Sequence, residues 1–315
     1  MGAADEGLAA ITRPLLRVTA KAKTGATDPA FHDLNAPSRS ARARDGLRLT
    51  AAFQALRRDQ LEALLLGGAG LKLTSRRVVA LGVLADLRER GLAEKVGLPG
   101  AGSAARCAYV LTAAGQRMYA AHDASYPRRR ATRLSVGLLD HAVMLADIAI
   151  AFGAAATNAG DVDLLWESDW EAVVRVGSSL VIPDALVTLE RGGWRTRGFV
   201  QADRSTEWQH AFAEKVRRYV ALYARDQWRA TLVVWPLVLT ITTSDAHARS
   251  LARLAYRVAT GEGGSRIARA FRCSSFEALC ARGPLSSIWH VGDFGDDVAL
   301  LDDPADAPGR PEAQR

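Results

Sequence analysis

The sequence predicts a mixed α+β protein in which two structured domains lie between two tails. Its 315 residues are enough for about two domains of ordinary size. Hydrophobic residues make up 49% of the chain and charged residues 24%, which is the balance of a globular protein. Short helices followed by a hairpin are predicted in the first half, and alternating helices and strands in the second. The predicted boundaries are 1–44 for a flexible basic arm, 45–135 and 136–292 for the domains, and 293–315 for an acidic flexible tail.

Charge is divided unevenly along the chain. Residues 1–135 hold 22 Lys and Arg against 11 Asp and Glu, a net of +11, whereas the remainder has a net of −4. This asymmetry predicts that the first half binds a polyanion. Three cysteines argue against a disulfide framework, and no secretory signal is expected from the acidic N-terminus. The best apolar stretch contains Asp140, His141 and Asp147, so no membrane span is predicted and we expect a cytoplasmic protein.

Three short helices, a hairpin and a closing helix are predicted for the first domain. Thr74 and Ser75 are suitable N-cap residues for the third helix, and Gly91 ends it. Thr112 is a suitable cap for the closing helix. The expected ranges are, in order, about 46–55, a second helix around Leu61, Leu64 and Leu65, then 74–90, strands 92–98 and 106–111, and 112–121.

This order is that of the winged helix-turn-helix, in which the third helix enters the major groove of DNA and the hairpin, called the wing, touches the backbone. Ala80, Leu84 and Leu87 predict the buried stripe of the third helix, so its opposite face is poor in donors for base edges. We therefore expect salt-sensitive binding through phosphates. The expected contact residues are Ser75, Arg76, Arg77, Lys95, Arg106, Arg128, Arg129 and Arg130. A winged helix used as a protein–protein interaction module remains an alternative.

The second half is predicted to begin with a long helix and to continue with strands and helices. The expected ranges are helix 138–157, strands 163–167, 172–176, 185–189 and 197–202, helix 206–225, strand 231–243, helix 244–258 and a last strand at 287–290. The α-β-β-β-α-β order matches the core of the restriction-endonuclease-like fold, and a generic α/β layer sandwich fits it as well.

Polar residues follow this core at two strand ends where nucleases of the PD-(D/E)xK type hold a divalent ion. That chemistry needs two carboxylates for Mg²⁺ and a lysine to steady the attacking water. Asp184 follows Pro183, and Gln201 and Asp203 alternate onto one face of a neighbouring strand. Gln201 takes the place of the second acid and Asp203 that of the lysine, so the catalytic site is predicted to be degenerate. The alternative is an active endonuclease in which Asp184 and Asp203 hold the metal and Lys215 reaches in from the following helix.

Other catalytic patterns are missing from the sequence. It has no Gly-Lys-Ser/Thr phosphate loop, no dinucleotide fingerprint between a strand and a helix, and no Gly-x-Ser-x-Gly elbow. Its six histidines show no paired metal-ligand spacing, and no relaxase-type cluster of tyrosine and histidine is present. No cofactor is therefore expected, apart from Mg²⁺ if the nuclease alternative holds.

Several segments together resemble the replication-relaxation family, whose members are associated with plasmids and other mobile elements. After the basic winged helix they follow in the family's order, covering roughly residues 45–260: LLDHAVMLADIAIAF (138–152), IPDALVTLE (182–190), FVQADRSTEWQHAFAEKVRRYVALY (199–223) and VVWPLVLTITTSDAHAR (233–249). The resemblance implies a DNA-binding regulator or accessory factor in plasmid replication, relaxation or transfer. Double-stranded DNA is the expected partner; other replication or transfer proteins, a second copy of the chain, and a role in transcription regulation stay open.

Overall fold

The chain divides into two compact units, residues 1–157 and 158–315, and each is described by itself. Both combine helices with sheet, so the protein is of the α+β class. The structure, a computed structural model, describes residues 17–18, 39–67, 71–98, 107–127, 134–176, 179–204, 209–225, 227–230, 232, 234–292 and 295–301.

The first unit alternates helices with short strands. Its elements are β1 (Arg17–Val18), α1 (Arg39–Phe53), β2 (Ala55–Leu56), α2 (Arg58–Leu66), α3 (Leu73–Glu89), β3 (Ala93–Gly97), β4 (Cys107–Leu111), α4 (Ala113–His122) and α5 (Val136–Ala159). The predicted hairpin is confirmed, since β3 pairs antiparallel with β4. Strand β2 pairs antiparallel with the other edge of β4, which gives the sheet order β2-β4-β3. Helix α1 begins inside the range predicted as a flexible arm.

Helix α3 begins earlier than its sequence predicts. Leu73 is its first residue, so Thr74 and Ser75 lie in the first turn, and the prediction that they cap the helix is wrong. Lys72 occupies the N-cap position without a side-chain hydrogen bond, and its carbonyl accepts the Arg76 N–H at 3.0 Å. The helix needs no side-chain cap because its first residues are exposed, so that water can satisfy their N–H groups.

The junction between the hairpin and α4 is closely packed. The Thr112 hydroxyl donates to the Gly91 carbonyl at 2.6 Å and accepts the Gly115 N–H at 3.1 Å, which confirms Thr112 as the helix cap. Gly91 ends α3 as predicted, with a φ of 67° that favours glycine. A Cβ atom at Gly115 would lie 2.1 Å from the carbonyl oxygen of Leu92, so only glycine fits there.

Helix α5 packs within the first unit, although its sequence was assigned to the start of the second domain. Leu139 and Ala142 pack with Ala55, Ala108 and Val110 of the small sheet. The compact units accordingly divide at residue 157 and not at residue 135. By length and apolar composition α5 could cross a membrane, which differs from the sequence prediction. A buried core helix passes the same test, and α5 has such a buried face.

The second unit is built around a mixed sheet. Its elements are β5 (Asp163–Ser168), β6 (Val174–Val176), β7 (Ser179–Val181), β8 (Ala185–Arg191), β9 (Trp194–Ala202), α6 (Gln209–Ala224), β10 (Leu237–Thr242), α7 (Asp245–Gly261), α8 (Ser265–Ala268), β11 (Phe271–Ser275) and α9 (Phe276–Arg282). In this unit β5, β8, β9, β10 and β11 lie side by side in that order. Strands β5, β8 and β9 are antiparallel, and β9, β10 and β11 are parallel. Strands β6 and β7 pair as a separate hairpin.

The end of this sheet differs from the prediction. A last strand is expected at 287–290, but these residues contribute only isolated bridges, from His290 to Cys273 and from Trp289 to Val298. The last described strand is instead β11, which the sequence pattern missed because its buried positions include Ser274 and Ser275. Strand β10 begins later than predicted, directly after Pro236, which has no N–H to donate to a neighbouring strand.

Helix α6 is confirmed as an amphipathic core helix. Phe212, Val216 and Tyr219 lie along its buried stripe. The Tyr219 ring lies 5.6 Å from the ring of Phe199 and 6.2 Å from that of Phe271, centroid to centroid. This packing holds the Tyr219 hydroxyl close to the polar end of β9.

Candidate functional site

Helix α3 presents one face to the core of the first unit and the other to solvent. Ala80, Leu84 and Leu87 are buried as predicted, together with Val83. A Cβ atom at Gly46 of α1 would lie 2.5 Å from a methyl of Val83, which shows how closely the two helices approach. Because α3 is anchored from one side, its outward residues are held on a rigid scaffold beside the hairpin.

The predicted contact residues of the first turn differ in exposure. Ser75 and Arg77 are exposed, whereas Arg76 is half-buried. The Arg76 Nε–H donates to the Leu71 carbonyl at 2.9 Å, which ties this side chain to the segment before the helix. Arg77 is therefore the guanidinium of this turn that extends into solvent.

The hairpin contributes one further described cation. Lys95 is exposed on β3, where it pairs with Tyr109 of β4. The other predicted contact residues, Arg106, Arg128, Arg129 and Arg130, lie outside the described residues. Thus Ser75, Arg77 and Lys95 are the predicted contact residues that the structure describes as exposed.

The second candidate site lies in the other unit, where β8 begins and β9 ends. Ala185 pairs with Val200, so Asp184 and Gln201 stand side by side at this point. The Asp184 N–H donates to the Val200 carbonyl at 3.0 Å, and its carboxylate Oδ2 accepts the Ala202 N–H at 2.7 Å. The Asp184 carboxylate thus holds the turn into β8 against the end of β9.

Gln201 is buried and bound by a tyrosine. Its Nε2 donates to the Tyr219 hydroxyl at 3.2 Å. Burial raises the pKa of Tyr219, the negative charge of Asp184 raises it further, and the bond from Gln201 only partly offsets them. The tyrosine is thus a neutral partner, for which an uncharged amide is better suited than a second buried carboxylate.

Asp203 is the buried acid of the site, and its carboxylate is already engaged. Its Oδ2 accepts the Thr242 hydroxyl at 3.2 Å and lies 3.1 Å from Nε2 of His247. The Asp203 N–H donates to the Ile241 carbonyl, which continues the β9–β10 pairing. His247 reaches this position from the first turn of α7, where Ser244 caps the helix by accepting the His247 N–H.

Lys215 lies on α6, one turn before Tyr219 on the same side of the helix, and is half-buried. The structure therefore brings Asp184 and Gln201 together, places Asp203 directly after the last residue of β9, and puts Lys215 on the helix that carries Tyr219. Over the described ranges, no group of three or more His, Cys, Asp or Glu side chains is arranged to hold a metal ion.

A further polar cluster lies beside the start of α7. His290 is buried, with Nε2 2.7 Å from Oδ1 of Asp245 and Nδ1 bonded to Oδ1 of Asp297. Burial opposes ionisation of Asp245, but hydrogen bonds from His290 and Arg249 outweigh it and lower the pKa of this carboxyl. Asp297 belongs to the stretch predicted as an acidic tail, so the described residues 295–301 contact this unit.

Sequence patterns had left His247, Tyr219 and Thr242 without a site role. His247 has no metal-type partner in the sequence, and Tyr219 was interpreted as part of a core stripe. Thr242 and Asp203 are brought together because parallel strands end at the same edge of a sheet. The Ser244 cap directly after a buried strand is the signal that could have located His247.

Comparison with known families gives a match over more than half of the chain. The family model described as replication-relaxation matches residues 47–238, more than half of the chain. The matched range runs from α1 to the start of β10, so it contains α3, the hairpin and the strand ends with Asp184, Gln201 and Asp203, but not His247. No curated protein matches the chain, and no solved structure matches it.

Proposed function

The chain belongs to the replication-relaxation family, and from this premise we propose that it is a DNA-binding accessory or regulatory protein of plasmid or mobile-element replication, relaxation or transfer. Membership indicates a role in the replication or relaxation of mobile elements. The proposal assigns the binding of duplex DNA to the first unit and an assembly role to the second.

The observation that carries the proposal is the arrangement of the first unit. The order α1-β2-α2-α3-β3-β4-α4, with sheet order β2-β4-β3, supports a winged helix-turn-helix in which α3 is the recognition helix and β3–β4 the wing. Helix α3 is anchored on one face and exposed on the other, as a helix that enters a major groove must be.

The charge of this unit supports a phosphate-binding surface. Arg77 in the first turn of α3 and Lys95 on the wing are exposed, and Ser75 adds a hydroxyl donor beside them. Residues 1–157 hold 22 Lys and Arg against 13 Asp and Glu, and this net charge of +9 supports the same partner, because a polyanion is attracted by the whole basic unit. The proposed phosphate contacts from Arg76, Arg106 and Arg128–Arg130 extend this surface.

For the second unit we propose a catalytically degenerate nuclease-like scaffold. The chain order β5-β8-β9-α6-β10 in this unit, with β8 and β9 antiparallel and β9 and β10 parallel, supports the β-β-β-α-β part of the restriction-endonuclease-like core. The helix that precedes this part, α5, packs in the first unit. Asp184 and Asp203 stand at the strand ends that such enzymes use, but both carboxylates already accept hydrogen bonds from the protein. Gln201 supplies an amide where a hard cation needs a charge.

Supercoiled plasmid incubated with the purified protein, with and without Mg²⁺ or Mn²⁺, tests both halves of the proposal on one gel. We expect a mobility shift that disappears when the protein is stripped and leaves intact supercoils. Nicked or linear product that requires the metal and is lost in Asp184→Asn would instead identify an endonuclease. No shift at low salt would contradict DNA binding and favour the protein–protein interaction alternative.

A further inference from the structure

The outward face of α3 is apolar. Val78 is 69% exposed and Leu81 is 44% exposed, although both are large hydrophobic side chains. Thr74, Val78, Leu81 and Ala85 are spaced at i, i+4, i+7 and i+11, so they form one continuous stripe along the helix. All four are exposed, and the stripe lies opposite the buried face of the helix.

The middle of this stripe permits a close approach of another molecule. Gly82 lies beside Leu81 and Ala85, and a Cβ atom built on it would meet nothing within 4 Å. Small side chains at positions 82 and 85 let a partner reach the helix surface, while Val78 and Leu81 project from it. The surface is thus a narrow helix face with two apolar projections.

Cations flank the stripe at both ends. Lys72 and Arg77 are exposed near the start of α3, and Arg88 is exposed in its last turn. Asp86, an acid nearer the end of the helix, is bound by Arg90 at 3.1 Å. The exposed acid Glu89 lies beside Arg88, so the net positive charge lies at the start of the helix. A polyanion therefore meets complementary charge at that end of the apolar stripe, and the phosphates of a duplex offer that charge next to the bases of the groove.

The one apolar group that the major groove offers is the C5-methyl of thymine, and side chains without polar atoms contact it. Val78 and Leu81 can neither donate to nor accept from base edges. At a G·C pair these side chains would displace the water bound to polar base edges without replacing its hydrogen bonds. At an A·T pair they gain contact with a methyl group.

We propose that Val78 and Leu81 read thymine methyl groups, so that the preferred duplex is rich in A·T pairs. This inference rests on the proposed DNA binding and deepens it, because phosphate contacts alone carry no sequence information. Each methyl group withdrawn from water contributes roughly a fourfold gain in affinity. Two such contacts together give a preference of about fifteenfold.

Two duplexes of equal length and charge test the inference, one of alternating dA and dT and the other of alternating dA and dU, which lacks only the methyl groups. Fluorescence anisotropy is expected to show about fifteenfold weaker binding of the dU duplex by the unmodified protein. The double variant Val78→Ser and Leu81→Ser is expected to bind both duplexes alike. Its thermal unfolding midpoint serves as the folding check, and these exposed side chains can change without opening the core.

Arg77→Gln is the matched control, because loss of a phosphate contact weakens both duplexes equally and preserves the dT preference. Equal binding of the dT and dU duplexes by the unmodified protein would overturn the inference while leaving DNA binding intact. A dT preference that survives in the double variant would overturn it as well. Failure to bind either duplex would contradict the proposed function itself, and the apolar stripe would then be a surface for a protein partner.

Discussion

Arg57 and Asp147 form a two-point ion pair in the first unit, with the guanidinium nitrogens 2.9 and 3.1 Å from the two carboxylate oxygens. Gln60 joins the pair: its Nε2 donates to Asp147 and to the Val143 carbonyl, both at 2.8 Å, and its Oε1 accepts the Arg57 N–H. The start of α2 is thereby fastened to the middle of α5, which explains why α5 packs within the first unit.

Removing this ion pair is expected to destabilise the first unit. Both side chains are about one quarter exposed, at 26% for Arg57 and 25% for Asp147. Arg57→Met leaves a half-buried carboxylate without its cation, and we expect a loss of about 1–3 kcal/mol in the free energy of unfolding. Urea unfolding measures this loss.

The matched control is Arg195→Met, whose partner Glu190 forms a more exposed pair, at 63% and 44% exposure. That change is expected to cost less than about 0.5 kcal/mol. Equal losses for the two variants would show that the Arg57–Asp147 pair does not hold α5 to α2.

Two glycines of the first unit are expected to respond in opposite directions to alanine. Gly115→Ala places a Cβ atom 2.1 Å from the Leu92 carbonyl oxygen, a backbone atom, and should destabilise the unit by about 1–3 kcal/mol or more. Gly82→Ala meets nothing within 4 Å in the interior of α3 and should stabilise it by up to about 1 kcal/mol. Thermal unfolding midpoints compare the variants, and a Gly115→Ala protein as stable as Gly82→Ala would contradict the close packing of α4.

Much of the first unit could be predicted from its sequence because its signals are local. The stripe of Leu61, Leu64 and Leu65, the Gly91 stop and the Thr112 cap each act within a few residues and are confirmed. The packing of α5 could not be predicted, because it depends on the contact between Arg57 and Asp147, which lie 90 positions apart. No pattern within α5 indicates which unit it joins.

Divalent metal is expected not to bind at the strand ends of the second unit. A cation would have to share the Asp203 carboxylate with the Thr242 hydroxyl and the Asp184 carboxylate with the Ala202 N–H, and Gln201 between them brings no charge. We predict that millimolar Mg²⁺ or Mn²⁺ leaves the thermal unfolding midpoint unchanged, in the unmodified protein and in Asp184→Asn alike. A rise in the midpoint with metal that Asp184→Asn abolishes would support the nuclease alternative instead.

The candidate site could be predicted only in part, because some of its contacts join residues that are far apart in the sequence. The sequence places Asp184 at the start of one predicted strand and Gln201 and Asp203 at the end of the next. Period-two alternation puts Gln201 and Asp203 on the same face, so the three residues are predicted to lie together. Tyr219 and His247 join them from two separate helices, and only the tertiary fold shows this. Strand β11 was missed because buried serines carry no apolar alternation.

Cys273 is expected to be unreactive while the protein is folded. Burial raises the pKa of its thiol to about 12; the hydrogen bond with Thr240 offsets part of this rise, and the nearby Asp203 charge adds to it. Because the thiolate is the reactive form, a maleimide at pH 8 should label the exposed Cys280 and leave Cys273 unlabelled until the protein is denatured. Mass spectrometry of the labelled peptides measures this, and equal labelling of the two cysteines in the folded protein would contradict it.

The same raised pKa predicts a direction for stability against pH. A cysteine in the unfolded chain ionises near pH 8.5, whereas the buried Cys273 thiol of the folded protein has a pKa of about 12. The stabilisation that this thiol contributes to the free energy of unfolding is therefore complete below pH 8.5 and is lost as pH rises toward about 12. In Cys273→Ala this part of the alkaline loss should be missing. Urea midpoints of the two proteins across this range compare them, and identical pH dependence would show that Cys273 does not contribute.

The salt dependence of DNA affinity tests the central claim most directly. Fluorescence anisotropy with one duplex should give an affinity that falls linearly on logarithmic axes as salt rises, with a slope of about 0.9 for each phosphate contact. The triple variant Arg76→Gln, Arg77→Gln and Lys95→Gln should bind more weakly and with a shallower slope, whereas Arg217→Gln, an exposed arginine of the second unit, should match the unmodified protein. Unchanged affinity and slope in the triple variant would contradict the assignment of α3 and the wing as the DNA-binding surface.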